Sequence, residues 1–307
     1  MSINDDLGIR MKEFYEQVPR FRLTRRTPVA IRLDGKAFHT FTRGFEKPFD
    51  ERLGAAMRET MKYLCENIQG CVLGYTQSDE ITLILIDYKK LTSSAWFDYE
   101  VQKMCSIAAS MATMAFNKAF AKAFDEWGRE NLPDWDMGGT NEPVDKSVMK
   151  LCQVYGNAQE KGAMFDARVF NIPKEEVANL IYWRQLDATR NSIQMVGRAN
   201  FSHSELQNKT CNDIQDMLIT QKNINWNDFP THQKRGSCCV RKIVDVTTKN
   251  TCEEQEWGEP IEKTIITTHY NWVIDTEIPI FKGEGREYIN RCILYEEKPE
   301  TTITYIN

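Results

Sequence analysis

Between residues 28 and 172 the sequence spells a strand, a helix, two strands, a helix and a strand, in that order. Residues 28–33 (PVAIRL) form a short apolar strand that runs into Asp34-Gly35. Residues 48–67 place Phe49, Leu53, Met57, Met61 and Leu64 at three- and four-residue steps, the period of a helix with one buried face. Pro48 suits a first helical turn, and Asp50 favours the positive helix start. Residues 71–75 and 81–86 are strands joined by Thr76-Gln77-Ser78-Asp79-Glu80. Residues 94–127 form a long helix striped by Phe97, Val101, Met104, Ala108, Met111, Ala115, Phe116, Ala119 and Phe120, and residues 163–172 are a further strand. This order predicts an α+β, ferredoxin-like core: a four-stranded antiparallel sheet with two helices on one face. Its first and third strands are antiparallel neighbours. Asp34, closing one strand, should therefore meet Asp79 and Glu80, opening the other, at one edge of the sheet.

Beyond that core, residues 175–201 and 204–219 read as helices. The remainder is mostly strand, as in residues 264–274, and residues 133–147, rich in Gly, Pro, Asp and Asn, read as a loop. The length, 307 residues, fits about two domains, which we divide as a catalytic unit (1–205) and a C-terminal extension (206–307). With 41% hydrophobic and 27% charged residues, a wholly disordered chain is excluded. Apolar runs such as residues 81–86 fall far short of the roughly 18 residues of a membrane span. The N-terminus lacks the apolar segment of a secretory signal. Nine cysteines, an odd number without a C-x-x-C pair, argue against a zinc site or a disulfide framework and for reduced thiols in the cytoplasm. The net charge of −5 excludes a uniformly basic nucleic-acid binder but leaves room for local patches. Arg20, Arg22, Arg25 and Arg26 form one such run, and Lys234, Arg235, Arg241 and Lys242 another, while five glutamates fall within residues 253–262. A solvated face is the plain alternative for each run.

Two carboxylates at adjacent strand ends repel, and a cation relieves the repulsion. Mg²⁺ prefers oxygen ligands, with one or two carboxylates plus substrate phosphates. The Gly35 carbonyl can approach such an ion closely. Two ions a few ångströms apart would make a phosphoryl-transfer site. Lys36, His39, Ser78, Lys47 and Lys103 flank the acidic positions or lie on the neighbouring helices, and the turn from Gly35 to His39 could form an anion-binding nest. The alternative is that Asp34-Gly35 and Asp79 are simply turn residues. A Walker A loop and a G-x-S-x-G elbow are both missing from the sequence.

IRLDGKAFHTFT (31–42), EKPFD (46–50), GYTQSDEITLIL (74–85), KMCSIAASMATMAFN (103–117), FDARVFNIP (165–173) and YWRQLDATRNS (182–192) resemble, in colinear order, the tRNA-His guanylyltransferase family. The resemblance implies a polymerase-palm-like catalytic domain that adds nucleotides in the 3′-to-5′ direction at the 5′ end of tRNA. By position it assigns two Mg²⁺ ions to Asp34, Gly35 and Asp79, with Glu80, Lys47 and Lys103 as further catalytic residues. Asp34, Gly35, Lys36, Ala37, Phe38, His39, Lys47, Ser78 and Asp79 should bind the nucleotide. The substrates would be GTP or another nucleoside triphosphate, with ATP or a 5′-triphosphate for activation. RNA contacts are expected from Arg22, Arg25, Arg26, Arg190, Asn191, Arg198, Lys234 and Arg235, with the Lys234-Arg235-Gly236 segment foremost. A homotetramer is implied as well. Where eukaryotic members carry His-Ile-Asn-Asn-Leu-Tyr-Asn, this chain reads ATRNSIQ (188–194), a departure that resembles the bacterial and archaeal guanylyltransferase-like proteins. We therefore expect templated 5′-end repair, with dedicated addition of one guanylate to tRNA-His as the alternative. A palm-fold nucleotidyl cyclase and a non-catalytic RNA-binding protein are the more distant ones.

Overall fold

The computed structural model describes residues 6–132, 135, 144–253, 261–294 and 302–306. In chain order the first half contains α1 (Asp6–Met11), β1 (Val29–Gly35), α2 (Phe38–Phe41), α3 (Glu51–Asn67), β2 (Cys71–Gln77), β3 (Glu80–Leu85), α4 (Val101–Asn131), α5 (Lys146–Lys161) and β4 (Phe165–Asn171). The second half adds α6 (Lys174–Asn200), α7 (His203–Leu206), α8 (Cys211–Lys222), α9 (Thr231–Arg235), β5 (Ser237–Glu253), β6 (Ile261–Asp275), α10 (Arg286–Leu294) and β7 (Thr302–Ile306).

The strands form one sheet in the order β4-β1-β3-β2-β5-β6-β7, every neighbouring pair antiparallel. Alternation along β1 and β3 sends Val29, Ile31, Leu33, Ile81, Leu83 and Leu85 to one face, where α3, α4 and α5 cover them. Ala30 and Ile84, with Ile86 just beyond β3, face the other way into α6 and α10. Burial on both faces explains why these strands read as near-continuous apolar runs, interrupted only by Arg32 and Thr82 before their acidic ends. The second half of α6 packs on α8 through Ile193, Val196, Ile214 and Leu218. On β2, Gly74 leaves room for α3. A Cβ there would sit 2.5 Å from the Cys65 sulfur and 2.8 Å from Met61.

Several boundaries differ from expectation. Pro48 lies before α3, not in its first turn; Asp50 is the N-cap, its carboxylate accepting from the amides of Arg52 and Leu53. The long helix begins at Val101, after a separate turn over Trp96–Tyr99. Helix α5 is an addition to the expected elements. It presents Val148, Leu151, Cys152, Tyr155 and Ala158 to the core. The helix expected over 204–219 is two helices, because Ser202 and Thr210 each close a capping box, with Glu205 and Asp213. The C-terminal region contains the expected strands but also α9 and α10. Most of the loop expected at 133–147, and most of the acidic run at 253–262, lie outside the described residues. Among the described residues no helix is long and apolar enough to cross a membrane.

Candidate active site

Strand β1 pairs with β3 and with β4, so Asp34 stands opposite Glu80 on one side and Asp166 on the other. The Gly35 amide donates to the Asp79 carbonyl at 3.0 Å, closing the edge where β1 ends and β3 begins. The β2–β3 connection is the pair Ser78-Asp79, with Ser78 at φ +50° and its hydroxyl 3.0 Å from Asp79 Oδ1. The two aspartates expected to meet are therefore brought together, 45 residues apart in sequence. A third carboxylate, Asp166, joins them. The same antiparallel argument could have found it, since the start of β4 must lie beside the end of β1.

The electrostatics of this edge are unbalanced. Burial pushes the Asp34 carboxyl above its usual range, and Asp79, Glu80 and Asp166 push it further, with Arg168 pulling the other way. Burial likewise raises Asp79, against the pull of the Ser78 hydroxyl and a backbone amide. Partly desolvated carboxylates that repel one another are stabilised by a cation. Among the described residues no three His, Cys, Asp or Glu side chains form a ready-made metal cage. The edge instead offers two carboxylates and a carbonyl, a donor set that suits an ion completed by substrate phosphate oxygens and water.

Glu80 differs from its neighbour. It is 6% exposed. Arg32 forks onto both its oxygens, at 3.3 and 3.0 Å, and Arg184 Nε lies 2.8 Å from Oε1. Neither arginine is among the expected site residues, because their charges are matched across three elements, not along one.

The turn after β1 carries the other expected nucleotide residues. The Lys36 amide is held by the Met164 carbonyl at 2.8 Å, and Ala37 adopts the left-handed conformation (φ +54°). Lys36, Ala37 and His39 are exposed. Phe38 is not: its ring packs 5.2–5.4 Å from Phe41, Phe116 and Phe165, leaving its backbone for any ligand. A Cβ on Gly35 would collide with that ring at 2.2 Å. Lys47 is exposed on a loop fastened by Asp50, which accepts from the Glu46 amide at 3.1 Å and from the Tyr155 hydroxyl of α5 at 2.6 Å. Lys103 is separated from this group. Its helix starts beside residues 21–24, where Val101 N–H meets the Phe21 carbonyl and Asn171 meets Thr24. That is the start of β1, whereas Asp34 is at its end. The Lys103 ammonium lies over the Phe97 ring at 4.9 Å.

Beside Ser78 opens a cleft whose lining includes Phe49, Glu51, Arg58, Asn191, Met195 and His232. The His232 imidazole, 3.7 Å from Glu51, holds that carboxyl down at about 2, with Arg58 acting in the same direction.

The expected RNA contacts fall into two groups. Arg22 pairs with Asp98 at 2.8 Å, Arg25 with Asp87 and Asp98 at 2.8 and 3.1 Å, and Arg190 with Asp187. Lys234 is 9% exposed, its ammonium bonded to the Asn227 carbonyl beneath the Trp226 ring. Arg235 is half-buried, with its carbonyl accepting from Tyr75. Asn191 lines the cleft, while Arg26 and Arg198 are exposed.

The chain has relatives among known proteins. The family model described as "Thg1: tRNAHis guanylyltransferase" matches residues 8–173, more than half of the chain. A bacterial tRNA(His) guanylyltransferase (Thg1)-like protein in complex with ATP superposes with a TM-score of 0.70 at 37% identity, over 94% of this chain and 100% of that one. A structure of such a protein in complex with GTP gives 0.66 at 36% identity, covering 95% and 100%. The tRNA(His) guanylyltransferase of Schizosaccharomyces pombe is 25% identical over 82% of this chain and 84% of its own length. These matches span both the acidic edge and the helices that pack around it, and the chain belongs to the tRNA-His guanylyltransferase family of nucleotidyltransferases.

Proposed function

We propose that this chain is a template-directed 3′-to-5′ nucleotidyltransferase that repairs the 5′ end of tRNA on a palm-like, ferredoxin-like core. The observation that carries the reading is the meeting of Asp34, the Gly35 backbone and Asp79 at one desolvated sheet edge. Asp34, the Gly35 carbonyl and Asp79 would hold two Mg²⁺ ions. When bound, those ions would lower the pKa of an attacking hydroxyl and neutralise triphosphate charge. The turn from Ala37 to His39, beyond the Lys36 amide that Met164 holds, presents backbone N–H groups to phosphate oxygens. Lys47 adds a positive charge from its tethered loop, and Ser78 a hydroxyl beside Asp79. In the reaction the 3′-OH of the incoming nucleotide attacks the activated 5′ phosphate of the RNA. A P–O bond forms, the bond to the pyrophosphate or AMP leaving group breaks, and the hydroxyl proton passes to solvent or a carboxylate. Glu80, held by two arginines, serves in this reading through the placement of Asp79.

Repair is favoured over dedicated tRNA-His maturation by the 37% identity to a bacterial Thg1-like protein. The ATRNSIQ segment (188–194) supports the same choice. The names of the curated relatives favour the alternative. Incubation with Mg²⁺, labelled GTP and a tRNA lacking its first nucleotide, alongside intact tRNA-His, tests the reading. Extension of the truncated RNA opposite its template base supports repair. Extension of tRNA-His alone supports guanylate addition, a cyclic nucleotide supports a cyclase, and RNA retention without product supports a binding protein.

A further inference from the structure

We propose that Arg184 and Asp187 on α6 form a positioning pair that aims the Ser78-Asp79 turn. The inference rests on the reading of Asp34 and Asp79 as the cation-holding residues. Asp79 sits in a two-residue turn whose first member, Ser78, holds φ +50° without being glycine. A conformation that side chains rarely adopt persists when its surroundings impose it. Ser78 is exposed, so the turn is constrained through its neighbours, by the Gly35 amide on the Asp79 carbonyl and from its far side. There Glu80, directly bonded to Asp79, is buried. It is fixed by Arg32 from within the sheet and by Arg184 from outside it.

Arg184 is the link between the two layers. Its side chain is 7% exposed, too deep to touch RNA or nucleotide. Its Nε lies 2.8 Å from Glu80 Oε1, with the N–H turned off the direct line, so the contact is mainly one of charge. Its Nη2 donates to Asp187 Oδ2 at 2.7 Å, and its guanidinium lies 4.2 Å from the centre of the Trp183 ring. Arg32 lies 5.2 Å from the same ring. Asp187 in turn accepts from Arg190. Arg32 and Arg184 thus balance Glu80 and Asp187, with exposed Arg190 capping the outer end, immediately beside the unbalanced pair at the edge. A misplacement of about 1 Å in a reacting group costs on the order of a hundredfold in rate. A strut that fixes Glu80 therefore controls the rate through Asp79 without touching the substrate.

The test uses the full chain as wild type, Arg184→Met, Arg184→Lys and Asp187→Asn. Each is assayed for extension of a 5′-truncated tRNA, for the Mg²⁺ concentration giving half-maximal rate, and for Mn²⁺ affinity in the presence of ATP. Thermal unfolding is followed in parallel. The positioning role expects Arg184→Met, while folded, to lose at least about tenfold in kcat and to need severalfold more Mg²⁺, with KM for GTP shifted much less. Arg184→Lys should recover part of the loss. Asp187→Asn keeps the Glu80 contact but weakens the outer anchor, so it should shift the same quantities less. Folded variants with wild-type kcat and Mg²⁺ requirement would reduce Arg184 to a structural residue and overturn the inference. If Arg184→Met does not fold, Asp187→Asn decides. A wild-type protein that extends no RNA sinks the functional reading instead, and Mn²⁺ affinity alone then tests the strut.

Discussion

The two ends of strand β1 handle charge in opposite ways. At its start, Arg20 pairs with Glu100 at 2.7 Å, Arg22 with Asp98, and Arg25 with both Asp98 and Asp87. Asp87 is 1% exposed, and its other oxygen accepts from the Arg26 amide at 2.8 Å. At its end, Asp34, Asp79 and Asp166 crowd together, with Arg168, 3.8 Å from Asp166, as the cation pulling on Asp34. The first end is neutralised by the protein itself. At the second, the acids outnumber the cation beside them. A run of arginines in the sequence is thus no measure of free positive charge, because Arg20, Arg22 and Arg25 are paired with acids that the fold brings to them.

The sharpest way to break this contrast is to remove the acids. Asp34→Ala or Asp79→Ala should each reduce extension by on the order of 10³-fold or more, the effect of losing several kcal/mol of charge stabilisation. The unfolding temperature should not fall, because each variant relieves repulsion. Retained activity in either variant contradicts the assignment.

At the other end, Asp87→Ala should cost about 1–3 kcal/mol, since the Arg26 amide loses its acceptor and Arg25 its best partner. Urea denaturation measures this, and an unchanged midpoint would remove the difference between the two ends.

The pH dependence should separate them further. Asp34 and Asp79 have folded-state pKa values raised above the usual range. Without divalent cation, their contribution favours the fold while protonated and is lost as pH rises through the raised values. Asp34→Asn should flatten that loss. Glu51 behaves oppositely, lowered from 4.5 to about 2. It stabilises the fold above the upper value, and this is lost as pH falls toward the lower one. Glu51→Gln should flatten the acid limb of a melting-temperature profile. An unchanged acid limb would show that the His232 contact does not hold the carboxyl down.

The smallest effect concerns RNA. Arg26→Ala, at an exposed site, should lower the slope of log affinity against log salt by about one. Arg22→Ala, already paired, should leave it nearly unchanged. Equal slopes for both would show that pairing with Asp98 does not withhold Arg22 from phosphate.

Much of this architecture is legible in the order of the residues. Strands β1 and β3 are apolar apart from Arg32, Thr82 and the acids at their ends because both faces are covered, and the spacing of Met57, Met61 and Leu64 marks α3 directly. The aspartate pair follows from topology alone. Helix α5 carries its own stripe at helical steps, but the Gly- and Pro-rich stretch before it masks its start. The split between α7 and α8 is written in Ser202-x-x-Glu205 and Thr210-x-x-Asp213, two capping signals inside one expected helix. The Arg32–Glu80–Arg184 contact cannot be read locally, because its partners are brought together only when α6 crosses the sheet. Lys234 misleads for the same reason. Its neighbours in sequence are polar, but the Asn227 carbonyl and the Trp226 ring draw it inside.

Strand β2 is hydrogen-bonded to β3 on one side and, through Leu73 to Thr76, to the first residues of β5 on the other. Its sequence, CVLGYTQ, has neither a charge nor a proline to discourage a stranger from pairing with it. A shortened chain ending before Ser237 would bare that margin along its whole length. Such a fragment would tend to seek its missing neighbour in another molecule, so the strand that begins at Ser237 acts, among other things, as a guard against clumping.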